Sequence, residues 1–294
     1  MPPKAQAKLK TLEGEIFAVM SALGVTGYFT TNKYVYTRFD LSSIDYTSTF
    51  MMIAGIIGLL SLIVRRLTKP SVPTPDTRNV LNMLGVGVIA GIAIGMTVIG
   101  QKYTLATNAA ILTTIATITT MIFSKYILSR SISRTKLPWI ILLLLGVYIA
   151  IIGFNNYHPR IGDWIIVGSS LFFGLSNTLT GVVLKDNLPG VARDYRFLAA
   201  GIVFGLVILL TPVKFITGIS WYPYAAALFF WLTITFFNKG VKLIGPSHAI
   251  VINNSHIIIT MLLSIPLLSE QLTFSKVLGA GLALLAIQKI SSKK

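Results

Sequence analysis

The chain has 294 residues, 54% of them hydrophobic and only 12% charged, with a mean hydropathy of +0.76, which excludes the soluble globular classes. Cysteine is absent, so disulfides, thiolate metal sites and a cysteine nucleophile are excluded too. The formal charge of +16 raises nucleic acid as a partner, and the placement of the basic residues decides that question below.

Ten apolar segments follow one another, and in lipid each is predicted to be helical because every backbone amide needs an internal partner. The first, 14–37, follows Lys4, Lys8 and Lys10. It imitates a secretory leader, but the apolar run is too long and no small-residue cleavage site follows, so it reads as a retained span. Tyr28 and Asn32 share one of its faces. Lys33 lies deeper than the other basic residues and is expected to snorkel to the outer surface, with gating or anion attraction as the alternative. The second segment, 44–64, ends in "RRLTKPSVPTPDTR" (65–78), whose prolines and charges predict a solvated loop. The third, 79–101, repeats Gly87, Gly91 and Gly95 every four residues, a face for close helix approach.

The fourth, 106–128, is rich in threonine, with Thr113, Thr114, Thr117 and Thr120 before Ser124. The fifth is 136–153. The sixth, 163–184, carries Asn177 and Thr180 three apart, and the seventh, 194–213, holds Gly201 and Gly205. The eighth, 221–241, has Trp231 at mid-span, whereas Trp139, Trp164 and Trp221 stand at segment starts, the usual interfacial position. The ninth, 247–268, contains "NNSHIIIT" (253–260), and the tenth is 274–290. The expected organisation is an N-tail (1–13), a first five-helix unit (14–153), a linker (154–160), a second five-helix unit (161–290) and a C-tail (291–294).

Counting lysine and arginine on alternate sides of these segments gives 19 against 6. That asymmetry orients both termini to the cytoplasm, in a multi-pass protein of the plasma (inner) membrane. The excess charge is a topology signal, so nucleic acid is not an expected partner. The expected partners are the lipid bilayer and a small-molecule substrate, with a homodimer left open.

The two units resemble each other. "EGEIFAVMSALG" (13–24) matches "IGDWIIVGSSLF" (161–172) at an offset of 148, and residues 100–133 match 240–273 at an offset of 140. Five helices per unit is odd, so the second copy is expected upside down. Inverted repeats are typical of secondary transporters, with the substrate site between the halves near mid-membrane.

Each unit ends in a pattern, "ILSRSISRTKLPWIILLLLGVYIAI" (127–151) and "LLSEQLTFSKVLGAGLALLAI" (267–287), which resembles that of the EamA domain of the drug/metabolite transporter superfamily. The resemblance covers essentially the whole chain. It implies ten transmembrane helices, cytoplasmic termini and carriage of amino acids, quaternary amines, sugars or other metabolites. Two positions depart from the pattern: Arg130 stands where the first copy usually has Glu, as Glu270 does in the second. The proline often found early in the fourth and ninth helices is also missing near Thr117 and Ile257, which removes the usual cause of a kink there. Pro266 offers a bend further along the ninth helix.

On a helix, Asn253, His256, Thr260 and Ser264 form one stripe. An offset of 140 carries it onto Thr113, Ala116, Thr120 and Ser124, with Thr114 and Thr117 widening it. Inversion brings the stripes face to face, which predicts a cavity lined by hydroxyl, amide and imidazole groups. The candidate substrate-binding residues are Asn253, His256, Thr260, Asn254, Thr113, Thr117, Thr120, Tyr28, Asn32, Asn177 and Trp231. Helix–helix hydrogen bonding competes as an explanation for the threonines and asparagines, and plain packing for Trp231. All nine acidic residues fall at segment ends or in loops, so no intramembrane carboxylate is expected, and His256 or His248 is the candidate for proton coupling. No HExxH pattern is present, and His248 and His256 are about 80° apart around a helix, so no enzyme, metal or cofactor is expected. The function expected is a secondary transporter of a small polar metabolite working by alternating access. A channel or a membrane receptor or scaffold is the alternative.

Overall fold

In a computed structural model, residues 3–68, 74–129, 132–153, 158–216 and 221–291 are described. Arg130, Lys69, Lys293 and Lys294 therefore lie outside the described residues, as does most of the linker expected at 154–160. The described residues form twelve α-helices and one 3₁₀ turn. The helices are α1 (Pro3–Arg38), α2 (Ser43–Thr68), α3 (Thr77–Tyr103), α4 (Ala106–Leu112), α5 (Ile115–Leu128), α6 (Leu137–Ile152), α7 (Ile161–Asp186), α8 (Pro189–Leu210), α9 (Tyr222–Ile244), α10 (Pro246–Asn253), α11 (His256–Leu268) and α12 (Phe274–Ser291).

Two of the ten predicted segments are each split in two, α4–α5 and α10–α11. With each split pair taken as one, eight helical rods are long and apolar enough to cross a membrane. The two remaining rods are more polar. α1 carries Thr26, Thr30, Thr31, Asn32 and Lys33, and α8 carries Arg193, Asp194 and Arg196 in its first two turns.

The splits fall at matching places. Thr113–Thr114 separates α4 from α5, and Asn254–Ser255 separates α10 from α11, one residue away from a pure offset of 140. Neither needs a proline. At the first break, the amides of Thr114, Ala116 and Thr117 reach back three residues instead of four, to Ile111, Thr113 and Thr114. Carbonyls left over inside lipid-like surroundings need donors. The Thr113 hydroxyl donates to Ala110 O at 2.8 Å, the Thr114 hydroxyl to Ile111 O at 2.6 Å, and the Ser170 hydroxyl of α7 to Leu112 O at 3.2 Å. At the second break the His256 ring meets Asn253 O at 3.0 Å through Nδ1, and the Thr26 hydroxyl of α1 donates to His256 O at 3.3 Å. Side-chain donors thus do what a proline kink does elsewhere. Pro266, by contrast, sits inside α11 without interrupting it.

The copies also end alike. Ser129 closes α5 and Ser269 closes α11, both in the left-handed conformation, with φ of 52° and 55°.

Packing follows the same pairing. α1 lies along α9 as α3 lies along α7, while α2 pairs with α8 and α6 with α12. Exchanging the two units maps the first pair of contacts onto each other and the last two onto themselves. The self-paired helices touch through glycine. A Cβ on Gly55 would sit 2.5 Å from the Cα of Gly201, and one on Gly146 would sit 2.7 Å from the carbonyl oxygen of Gly279. The predicted glycine face of the third segment is used as expected, since Gly87, Gly91 and Gly95 all meet α8. Gly205 faces open space, so the Gly201/Gly205 face is only half used.

Three expectations are corrected. α8 begins at Pro189, ahead of the predicted start at 194, so Arg193, Asp194 and Arg196 lie in a helix. Carboxylates are buried after all: Asp163, Asp194 and Glu270 are 2%, 0% and 6% exposed. They stand near segment ends, but the ends fold inward and each carboxylate finds donors. Lys33 does not reach outward. It is buried and donates to Gln101 O at 3.1 Å.

Candidate functional site

At the end of the bundle where α5, α7 and α9 finish and α12 terminates, a cleft of about 460 Å³ opens. Its mouth carries Lys136, Lys185 and Lys242. Its walls include Thr120, Ser124 and Thr178. Deeper in, a cavity of about 120 Å³ reaches the two helix breaks. Thr117, Asn177 and Ile250 border both spaces, so they form one passage.

The inner cavity brings together Asn253, Asn254, His256, Thr113, Thr117, Tyr28 and Asn177. Three buried atoms here have no hydrogen-bond partner among the described residues: Asn253 Oδ1, Asn254 Nδ2 and His256 Nε2. Such groups are strongly disfavoured unless a ligand or water meets them. Their presence on the wall of one cavity marks it as the candidate site. The apolar part of the wall is aromatic. Phe230 stands edge-on to Tyr28 at 5.4 Å, and Phe29 lies 6.0 Å from the His256 ring.

Three candidates from the sequence are placed elsewhere. Thr260 is fully buried, its hydroxyl 3.3 Å from that of Thr26. Asn32 is also fully buried, donating to Gln101 Oε1 at 3.2 Å and accepting from the Tyr46 hydroxyl at 2.9 Å. The Trp231 face is already taken by a cation of the chain itself, the Arg193 guanidinium 4.0 Å from the ring centroid. Thr120 lines the outer cleft and not the inner cavity. His248 lies away from both spaces, half exposed, with its Nε2 3.5 Å from Glu15.

Sequence reasoning missed Ser21, Phe173, Thr233 and Phe237 of the inner wall. Phe230, also missed, is flagged by nothing except its place beside Trp231. In the sequence the three lysines at the mouth carry only an orientation signal.

At the far end of the bundle, contacts among the described residues close the space between the helices. Glu270, on the α11–α12 turn, caps the start of α4: its Oε1 accepts from Ala106 N at 2.6 Å, and its Oε2 accepts from Thr107 N at 3.2 Å and from the Thr107 hydroxyl at 2.9 Å. The Thr104 hydroxyl donates to Asp163, which also caps Arg160 N at 2.8 Å. Lys33, Asn32, Gln101 and Tyr46 seal the space between α1, α2 and α3.

Comparison with known proteins agrees with this architecture. The EamA-like transporter family matches the chain twice, over residues 12–152 and 160–292. A curated relative described as the uncharacterized transporter YyaM of Bacillus subtilis (strain 168) is 23% identical over 246 residues, 79% of this chain and 80% of the relative. A solved crystal structure superposes with a TM-score of 0.63 over 96% of this chain and 97% of its own, at 12% identity, a likeness of fold alone. With a family match in each half of an all-helical, membrane-spanning bundle, the chain belongs to the EamA-like transporter family.

Proposed function

We propose that the protein is a secondary transporter of a small polar metabolite. It works by alternating access between two inverted five-helix repeats. Ten rods cross the membrane, α1 and α8 among them, with both termini in the cytoplasm. The lysine-bordered cleft then faces the cytoplasm, and the structure represents the inward-open state.

The observation that carries this reading is the unequal fate of one repeated stripe. In the first copy Thr113, Ala116, Thr120 and Ser124 all line the passage. In the second, Asn253 and His256 line the cavity, while Thr260 and Ser264 are completely buried toward the shut end. A carrier that exchanges the conformations of its two copies would expose Thr260 and Ser264 to an outward cleft and bury Thr120 and Ser124. The site at the helix breaks stays in place while access to it switches. Substrate would be held by the unpaired amide and imidazole atoms, with the threonines of α4 and α5 beside them.

The experiment is uptake or counterflow of labelled metabolites into proteoliposomes. Saturable, exchange-accelerated flux is expected. Unsaturable flux at channel rates, or no flux with a folded protein across a broad panel, contradicts the reading.

A further inference from the structure

Arg196 is a buried cation that meets no carboxylate among the described residues. It lies on α8, seven residues past Pro189 and so about 10 Å along the helix, and is only 9% exposed. Its Nη2 donates to the Ser176 hydroxyl of α7 at 3.2 Å, and its Nε has no partner. Asp194 is close in sequence but committed elsewhere. It pairs with Arg193 at 2.5 Å and Arg65 at 3.3 Å, and accepts from Ser61 at 2.9 Å. No ion pair among the described residues includes Arg196. Buried Arg193 and Asp194 balance each other, and the Arg65 side chain keeps 27% exposure to outside. Between α7 and α8, Arg196 is left as a buried positive charge without an ion-pair partner among the described residues. Such a charge is strongly unfavourable on its own, and intramembrane charges of this kind mark ligand pathways.

Its place suits that role. Arg196 borders a small cavity of about 20 Å³ together with Phe230 and Ile234, which also line the central cavity. Phe230 and Ile234 therefore stand between the small cavity that Arg196 borders and the candidate site. Phe230 is the aromatic member of that pair, its ring centroid 5.4 Å from that of Tyr28, 5.8 Å from Phe50 and 4.9 Å from Phe197. The passage leading there has Lys136, Lys185 and Lys242 at its mouth, and neither it nor the central cavity is lined by any Asp or Glu among the described residues. A passage of one sign concentrates ions of the other.

We propose that the substrate is a small monocarboxylate. Its carboxylate is received by Arg196 once Phe230 turns aside, and its uncharged polar groups meet Asn253, Asn254 and His256. This rests on the transporter reading and narrows its substrate class. One unbalanced charge selects a monoanion, because the second charge of a phosphate or a dicarboxylate has nothing to meet there. A quaternary amine finds no carboxylate anywhere along the route.

The test uses matched pairs: short hydroxy acids and amino acids, each against its own primary amide, with neutral sugars and amines alongside. Binding is read as the shift in Tm of the purified full chain in detergent, and transport as uptake into proteoliposomes. Acids are expected to raise Tm and to be taken up, and their amides to do neither. Arg196→Gln should weaken acid binding at least about tenfold, the loss of one charge-assisted hydrogen bond. Arg196→Lys should keep part of the response, and ligand-free Arg196→Gln should melt no lower than the parent, since it removes an unpaired charge. Should Arg196→Gln fail to fold, that result contradicts the unpaired-charge argument, and the acid–amide comparison on the parent protein still decides the substrate class. Amides or amines matching the acids, or an undiminished acid response in Arg196→Gln, overturns the proposal. Uptake of a neutral sugar without response to any acid overturns it and leaves the transporter reading standing, whereas no uptake of any compound overturns both.

Discussion

At the scale of single residues, the site is defined by atoms left without partners. Asn253 Oδ1 and His256 Nε2 contribute nothing to folding as they stand. Removing them deletes unsatisfied groups and leaves no protein donor or acceptor orphaned in exchange, except Asn253 O, which loses the His256 ring. Asn253→Ala and His256→Ala are therefore expected to express near normally and to lose transport, measured as uptake per folded molecule. If instead both fail to fold while residual protein still transports, they are structural glue. The stripe of Asn253 and His256 was legible in the sequence because 3.6-residue periodicity survives any substrate. Thr260 stays on that face of α11 but is buried against Thr26 of α1, on the side of the breaks away from the cleft. Asn32 and Trp231 were misplaced for another reason. A polar or aromatic residue at mid-segment satisfies a helix neighbour as readily as a ligand, and here Tyr46, Gln101 and Arg193 are those neighbours. Arg196 was hidden because apolar periodicity placed the segment start at 194, where basic residues count as interfacial.

At the scale of elements, the two broken helices set the geometry. The eight long apolar rods and the two-copy organisation were legible, since burial in lipid forces long apolar runs, while the more polar α8 starts ahead of its apolar run. The breaks were not, because no proline marks them. Their only signal is local clustering of Thr113–Thr114 and Asn253–Asn254–Ser255, side chains that can bond back to their own backbone. Replacing the donors tests this. Thr114→Val with Ser170→Ala leaves Ile111 O and Leu112 O short of side-chain donors, at roughly 0.6 kcal/mol each. A lower Tm with impaired transport is expected from the pair. Glycine crossings offer a sharper contrast. Gly146→Ala would bring a methyl within 2.7 Å of Gly279 O and 2.7 Å of Ala283 N, whereas Gly205→Ala meets open space. Overpacking at the first position should lower stability by about 1–3 kcal/mol, and the second should be neutral by thermal melting. Equal tolerance at both would refute the close α6–α12 contact.

At the scale of the whole molecule, the asymmetry between its ends is what makes it a carrier on this account. One end is open along a passage bordered by lysines, and at the other the described residues close on each other through Glu270 on α4 and the Lys33 and Asp163 contacts. Glu270→Ala removes three hydrogen bonds to Ala106 and Thr107. The variant should populate the outward state more and show altered exchange rates while keeping the same substrate preference. Because the chain has no cysteine, each engineered thiol reports alone. The most direct measurement is therefore sidedness of labelling. Ser124→Cys and Ser264→Cys, matched across the two copies, are treated with a membrane-impermeant maleimide from either side, with and without Glu270→Ala. Ser124→Cys should react from the cytoplasmic side only, and less so in the Glu270→Ala background. Ser264→Cys should be silent from both sides in the resting protein and become reactive from outside when Glu270 is replaced or transport is running. A Ser264→Cys thiol that stays silent from outside while substrate crosses the membrane would contradict the exchange of the two copies.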